Sequence, residues 1–252
     1  MGLLQNKVAL ITGGNSGIGR ATALSFAREG AKVALAGRRS QEGEETVALI
    51  KSHGSDAFFM KTDVTNAREI EALVNRTVEA YGRLDCCFNN AGIESRPAPL
   101  TQQSESDFDE VIAINLKGVF LSMKYEIPVL LKQGGGSIVN TASVGGLVGF
   151  ANVSPYVASK HGVMGLTKVA ALENAKAGIR INAVSPGSIL TPMVERMTGG
   201  SQEANEQVAS LHPMGRQGTP EEVAEAVIWL CSDKASFMTG QSITMDGGLT
   251  AT

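Results

Sequence analysis

Two stretches hold side chains whose types and spacing could do chemistry. The run Ser154-Pro155-Tyr156-Val157-Ala158-Ser159-Lys160 sets a phenol and an ammonium four residues apart, shortly after Ser143 in Thr141-Ala142-Ser143. Proline suits the first turn of a helix, where its missing N–H is not needed. On such a helix Tyr156 and Lys160 stack on one face. A phenol, with an ordinary pKa of about 10, is a poor base near neutrality. A nearby ammonium favours the phenolate, and lowering the value by about 3 units takes roughly 4 kcal/mol of differential stabilisation. Ser143, ending an apolar run, is placed to hydrogen-bond the oxygen whose proton Tyr156 gives or takes. The spacing alone equally describes a half-buried tyrosine beside a solvated lysine, so a second element has to support it.

That element lies near the start. Lys7–Thr12 (KVALIT) reads as a buried parallel strand, Gly13-Gly14-Asn15-Ser16-Gly17-Ile18-Gly19 as a tight turn, and Arg20–Glu29 as a helix. Strand, glycine turn and helix in this order form a cradle for pyrophosphate, because glycines admit close backbone approach and the helix N-terminus offers N–H groups. The bland alternative is an ordinary strand-to-helix turn. A second strand, Lys32–Ala36, ends at Gly37-Arg38-Arg39. In such sites an acidic side chain at this place binds the free ribose 2′-OH of NAD, whereas an arginine accommodates the 2′-phosphate of NADP. Arg38, with help from Arg39, therefore favours NADP(H) over NAD(H), although two arginines at a helix start are also ordinary surface charges.

The rest of the chain alternates in the same manner. Gln41–His53 reads as a helix and Asp56–Thr62 as a strand leading to Asp63-Val64. Asn66 and Glu69 form a capping-box pattern before a helix whose face is Ile70, Leu73, Val74, Val78 and Tyr81, with Gly82 as its stop. Leu84–Phe88 is a strand running into Asn89-Asn90-Ala91-Gly92, and Glu105–Leu131 is a long helical stretch holding Asn115, with a bend or break expected at Pro128. Ser137–Thr141, Ile179–Val184 and Gln241–Met245 read as strands, and Thr219-Pro220-Glu221-Glu222 as a strong helix start. Residues 190–217, punctuated by glycines and carrying Met193, Met197, Leu211 and Met214, suit a flexible lid over a small substrate. The fold class expected is α/β: a single domain, 1–252, built as a doubly wound parallel sheet of about seven strands with helices on both faces.

Composition narrows the partners. The 252 residues are 43% hydrophobic, enough for one core, and carry a net charge of −3 without a basic run, which argues against nucleic acid or an anionic membrane. Gly2–Asn6 is short and polar, so neither a signal peptide nor a membrane span is expected. Three cysteines, an odd count, suggest reduced thiols and a cytoplasmic protein; Cys86 and Cys87 are expected on opposite faces of their strand as small buried hydrophobes. The three histidines, His53, His161 and His212, have no metal-ligand spacing, so no metal is expected and each reads as structural or surface.

Taken together, Gly13-x-x-x-Gly17-x-Gly19, Asn89-Asn90-Ala91-Gly92, Asn115, Ser143, Tyr156-x-x-x-Lys160 and Pro186-Gly187 resemble a classical short-chain dehydrogenase/reductase, from Lys7 to the end of the chain. The resemblance implies hydride transfer between a nicotinamide cofactor and a small carbonyl or alcohol. In it Tyr156 is the acid/base, Ser143 polarises the reacting oxygen, Lys160 lowers the tyrosine pKa and binds the nicotinamide ribose, and Asn115 opens its helix and holds a relay water. It also sets Asp63 and Val64 at the adenine, Asn90, Ala91 and Gly92 along the cofactor, and Pro186, Gly187, Ile189 and Thr191 beside the nicotinamide, with the Ile189 backbone at the carboxamide and Thr191 at the carboxamide or a phosphate. NAD-preferring members carry Asp where Gly37 stands, and NADP-specific ones often carry a basic residue where Ser16 stands. A homotetramer is implied, paired through the helices bearing Asn115 and Tyr156 and through the C-terminal strand. Two alternatives stay open: a 3-oxoacyl-carrier-protein reductase, which shares these motifs and usually docks its carrier through arginines on those two helices, and a non-catalytic dinucleotide-binding regulator, a kind that commonly loses the tyrosine or lysine present here.

Overall fold

The computed structural model describes residues 2–251, so Met1 and Thr252 of the expected domain lie outside the described residues. The apolar runs form strands β1 (Val8–Thr12), β2 (Lys32–Gly37), β3 (Ala57–Lys61), β4 (Cys86–Asn89), β5 (Gly136–Thr141), β6 (Ile179–Pro186) and β7 (Ser242–Met245). The amphipathic runs form helices α1 (Gly17–Arg28), α2 (Ser40–Ser52), α3 (Ala67–Tyr81), α4 (Glu105–Ile112), α5 (Gly118–Gln133), α6 (Ser154–Asn174), α7 (Pro192–Thr198), α8 (Gln202–Ser210) and α9 (Pro220–Cys231). All strands pair in parallel, in the order β3-β2-β1-β4-β5-β6-β7. The order reverses between β1 and β4, and at such a switch the strand ends open a crevice.

Side chains alternate across the sheet, and both faces are covered. Ile11, Leu35, Cys86 and Phe88 pack toward Phe26 of α1 and Val223 and Val227 of α9. Leu10, Ala34, Cys87 and Ile138 pack toward Leu73 of α3, Met123 of α5 and Val163 of α6. Burial on both faces is why the strands read as continuous apolar runs rather than alternating ones. Cys86 and Cys87 divide between the two faces as expected, and burial pushes the Cys87 thiol well above its ordinary value.

Two local expectations are corrected. The long stretch around Asn115 is interrupted not at Pro128, which lies inside α5, but at Ala113–Lys117, a π-helical turn between α4 and α5. At α3 the Asn66 side chain accepts from the Arg68 N–H, while Glu69 reaches past the cap to the Asp63 N–H at 2.7 Å and so tethers the end of β3. The Thr219–Glu222 capping box forms in full.

One acidic side chain of α5 points inward. Glu126 is wholly buried; its Oε2 accepts from Asn89 Nδ2 at 3.0 Å, and Asn89 Nδ2 also donates to Asn140 Oδ1 at 3.1 Å. Burial pushes its carboxyl from 4.5 up to about 7, against the downward pull of Asn89 and Cys87. The folded protein therefore keeps this proton where the unfolded chain has lost it. Its contribution is fully present below the unfolded value of 4.5 and is lost as pH rises toward about 7. The shift corresponds to ~3 kcal/mol. Glu126→Gln retains an acceptor for Asn89 and cannot ionise, so it is expected to be more stable than wild type at about pH 8, with the gap closing toward about pH 4.5. Denaturant unfolding at several pH values checks this; a gap of constant size would contradict it.

Candidate active site

The turn after β1 needs its glycines. Gly13 and Gly17 have φ of 68° and 51°, and a Cβ at Gly13 would stand 2.9 Å from Asn90 Nδ2 and 3.0 Å from Ala91 Cα. The end of β4 is thus packed flush against the turn. Thr12 Oγ1 fastens the two, accepting from the N–H groups of Asn90 (3.1 Å) and Ala91 (3.2 Å), and Asn90 Nδ2 donates to the Thr12 and Gly13 carbonyls. Gly19 sits behind the turn, where a Cβ would strike the Gly13 carbonyl oxygen at 2.1 Å.

At the end of β2 the two arginines take different parts. Arg39 folds over the glycine turn: its Nη2 donates to Ser16 Oγ at 2.8 Å. With the Asn15 amide oxygen turned to it, Arg39 also donates from Nε and Nη2 to Asn15 at 3.1 Å. Arg38 is exposed at the cleft and has no hydrogen-bonding or ionic partner among the described residues. Gly37 has no carboxylate, and a Cβ there would lie 2.6 Å from the end of the Asn15 side chain. Next to it, Asp63 Oδ1 accepts from Thr65 N–H and Oγ1, which fixes the chain that presents the largely buried Val64.

Ser143 follows the end of β5, and Tyr156 and Lys160 belong to α6. With Pro155 in its first turn, α6 brings Tyr156 and Lys160 to one side, the Lys160 Nζ lying 5.5 Å from the phenol ring centre. Lys160 is 4% exposed and its Nζ donates to the Thr141 carbonyl at 2.8 Å. Burial pushes its ammonium down to about 8. Ser143 Oγ accepts from Gly145 N–H at 3.1 Å and faces the phenol. The expectation that Lys160 draws the phenol down is not met in the protein alone. Burial raises Tyr156, the Ser143 hydrogen bond offsets part of this, and the Glu94 carboxylate raises it further. Lys160 is buried and Tyr156 half-buried at the cleft wall, and desolvation favours the neutral form of each.

Asn115, fully buried in the π-helical turn, commits its side chain locally. Its Oδ1 accepts from Ile93 N–H at 2.8 Å, and its Nδ2 donates to the Ile93 carbonyl at 2.9 Å and to Ser159 Oγ at 3.3 Å. Ser159 Oγ in turn donates to the Tyr156 carbonyl at 2.7 Å. Asn115 therefore ties the segment after β4 to the first turn of α6.

The segment after β6 closes the other side. Thr191 passes over Gly17, whose Cβ position is 3.2 Å from the threonine methyl, and Thr191 Oγ1 donates to the Ile189 carbonyl at 3.1 Å. Beyond it α7 crosses the cleft mouth, and Arg196 pairs with Glu94 through two hydrogen bonds of 2.8 and 3.0 Å. The pair holds the Glu94 carboxyl below its ordinary value despite the upward push of burial.

These pieces enclose one cleft of ≈ 740 Å³, within the range of cofactor sites. Gly13, Asn15, Ser16, Gly17, Ile18, Arg38, Arg39, Asp63, Val64, Asn90, Ala91 and Gly92 line it together with Ser143, Tyr156, Lys160, Pro186, Gly187, Ile189 and Thr191. Gly19 and Asn115 do not line it: one supports the turn from behind, the other the segment that carries Ile93. Thr12, Glu94, Thr141 and Arg196 also build the site, and no spacing in the sequence marked them. The glycine cradle a Cβ would fill, the helix N-terminus beneath it and the guanidinium groups at its rim fit a phosphorylated dinucleotide.

Residues 13–250 match the family described as Enoyl-(Acyl carrier protein) reductase. The chain is 46% identical over 246 residues to a cyclohexanol dehydrogenase of Acinetobacter sp. (strain SE19), covering 98% of this chain and 96% of that one. It is also 46% identical over 251 residues to a 3-oxoacyl-(acyl-carrier-protein) reductase of Thermotoga maritima, covering 98% of each. The crystal structure of levodione reductase superposes with a TM-score of 0.96 at 42% identity, covering 98% of this chain and 99% of that one. The fold, the cleft and these relatives together assign the chain to the classical short-chain dehydrogenase/reductase family, NAD(P)-dependent oxidoreductases of CH–OH and C=O groups.

Proposed function

We propose that the protein is an NADP(H)-dependent oxidoreductase of small neutral ketones and secondary alcohols, cyclic ones among them, with Tyr156 as the acid/base. The observation that carries this reading is the convergence of Ser143, Tyr156 and Lys160 on the cleft that the glycine turn also lines. The dinucleotide, when bound, supplies the hydride or its acceptor and, in its oxidised form, a positive charge. In reduction Tyr156 protonates the carbonyl oxygen while Ser143 donates a hydrogen bond to it; in oxidation the tyrosinate takes the alcohol proton. Since burial raises the phenol in the protein alone, Lys160 needs an added positive charge in the site to favour the tyrosinate. Lys160 also holds the nicotinamide ribose. Asn115 contributes to a proton relay by stabilising the opened turn beside Gly92, which the Lys160 Nζ also approaches.

The preference for NADP rests on the rim of the first arm. Arg38 is free to meet a 2′-phosphate, and Arg39 brings a guanidinium to Ser16, the place where a basic side chain is otherwise missing. Asn15 fills the space beside Gly37 that an aspartate would need. Asp63 and Val64 serve the adenine, Asn90 to Gly92 the cofactor's length, and Ile189 and Thr191 the carboxamide. Residues 190–217 act as the lid, held at α7 by Arg196 and Glu94.

The relative named for cyclohexanol supports a cyclic alcohol or ketone, whereas the equally similar Thermotoga reductase supports a 3-oxoacyl thioester. Neither α5 nor α6 carries an arginine with which to dock an acidic carrier, and this favours the small neutral substrate. We further propose a cytoplasmic homotetramer; Phe120 of α5, Val169 and Leu172 of α6, and Phe237 near β7 leave apolar surface exposed for pairing. Among the described residues no helix is long and apolar enough to cross a membrane.

Tyr156→Phe is expected to lose more than nine-tenths of turnover with cofactor affinity changed by less than about threefold, since only the proton-transfer oxygen is removed. Steady-state assays with NADPH across cyclic ketones and 3-oxoacyl thioesters, beside fluorescence titration of NADPH, check this; a tenth or more of wild-type turnover would contradict the role. Arg38→Leu is expected to weaken NADPH by about ten- to a hundredfold and leave NADH nearly unchanged, the size of a charge-assisted hydrogen bond. Gly37→Asp is expected to improve NADH use only when combined with Asn15→Ala, which vacates the space the carboxylate must enter. Catalytic efficiencies with both cofactors decide: equal losses in Arg38→Leu, or a full gain from Gly37→Asp alone, would contradict this account of the rim.

A further inference from the structure

We propose that His212 is a positioning residue for the segment Pro186–Thr191, and that it acts only as the neutral, Nδ1-protonated imidazole. The ring is 3% exposed and lies between three parts of the chain: the loop after α8, the segment after β6 and the turn after β7. Its Nδ1 is 3.0 Å from the Val208 carbonyl of α8, which only accepts. Its Nε2 is 3.1 Å from the Ser188 backbone N–H, which only donates. Neither partner can exchange roles as a hydroxyl would, so the two contacts together fix the tautomer.

The surroundings are shaped to the ring. A Cβ on Gly187 would lie 2.9 Å from His212 Nε2 and 3.0 Å from Asp246 Cα, so glycine is what admits the imidazole to the backbone there. Gly187 N–H donates to the Met245 carbonyl and Met214 N–H to the Gly247 carbonyl, closing the layer around it. On the far side Gly218 N–H donates to the Ser188 carbonyl and Leu190 N–H to the Gly218 carbonyl. The segment is thereby pinned from both edges, with His212 as the side-chain pin. This inference rests on reading the cleft wall at Pro186, Gly187, Ile189 and Thr191 as the nicotinamide side of the site.

Protonation would turn Nε2 into a second donor facing the Ser188 N–H, and would place a cation in a dry site. The charged group nearest the ring from the turn after β7 is Asp246. Against the upward push of burial, hydrogen bonds from Thr250 and Gly248 hold its carboxyl below the ordinary range and occupy its oxygens. From α8 the ring meets Val208, and on its own loop Arg216 is taken by Glu222. No carboxylate among the described residues pairs with the imidazole. The contact with Ser188 therefore requires a ring whose Nε2 can accept.

The test compares wild type, His212→Gln and His212→Leu as full chains at pH 8, with melting temperatures to confirm folding. Glutamine Oε1 stands as many bonds from the backbone as Nε2 and accepts from Ser188, whereas leucine offers no acceptor. Hydrogen exchange of the peptide spanning 186–191, normalised to intrinsic rates, is the reading that needs no cofactor. Protection is expected to hold in His212→Gln and to fall about tenfold in His212→Leu, the size of one lost hydrogen bond. NADPH affinity from fluorescence titration should follow the same pattern. Full protection in His212→Leu, or protection lost equally in His212→Gln and His212→Leu, would overturn the proposal. Absence of NADPH binding to wild type at pH 8 would instead overturn the cofactor reading, leaving the exchange data to decide the role of His212.

Discussion

The structure depends on one costly arrangement, an ammonium withdrawn from water. Among the described residues Lys160 meets a single hydrogen-bond acceptor, the Thr141 carbonyl, and burial pushes its ammonium down to about 8. An isolated buried cation loses far more hydration than one neutral carbonyl restores. The phenol beside it is pushed the opposite way by the same dryness. The pair is thus neutral by preference on one side and strained toward neutrality on the other, a state suited to responding when a charge arrives.

The rest of the fold can be understood as the means of holding that pair dry and in register with a dinucleotide. The sheet reverses order between β1 and β4, so Thr12 and Asn90 sit side by side and lock the glycine turn to the strand end that leads to Ile93. Asn115 then carries the fixation across to α6 through Ser159. Glu126, Asn89 and Asn140 repeat the strategy one layer deeper, with a buried polar chain crosslinking α5, β4 and β5 beneath the site. Buried polar contacts of this kind are expensive unless satisfied, and here Glu126 Oε1 and Asn89 Oδ1 have no partner among the described residues.

Much of this could be read from the sequence because its signals are local. The glycine turn, the Thr219 cap and the division of Cys86 and Cys87 between faces follow from backbone needs and a period of two. What escaped reading depends on partners far along the chain or on solvent access. Arg38 and Arg39 are indistinguishable as letters; only the direction of each side chain made Arg39 the one bound to Ser16 and Asn15. Glu94 and Arg196 are separated by 102 positions and meet because α7 crosses the cleft. The spacing of Tyr156 and Lys160 revealed proximity but not dryness, and dryness reversed the expected direction of the phenol's shift. The helix opens at Asn115, where the resemblance set the opening and Ile93 holds the amide, while the break expected at Pro128 is absent because a proline is tolerated inside α5.

The central claim is that Tyr156 is a neutral phenol in the protein alone and becomes a usable base only when positive charge joins Lys160 in the site. The chain has three tyrosines, so labelling with 13Cζ-tyrosine and assigning Tyr156 by its loss in Tyr156→Phe gives a direct titration by NMR. The account predicts that the Tyr156 signal titrates above the ordinary phenol value of 10.0 in the free protein and moves well below it in the complex with NADP⁺. A phenolate signal near neutral pH without cofactor, or a titration unmoved by NADP⁺ at saturation, would contradict it.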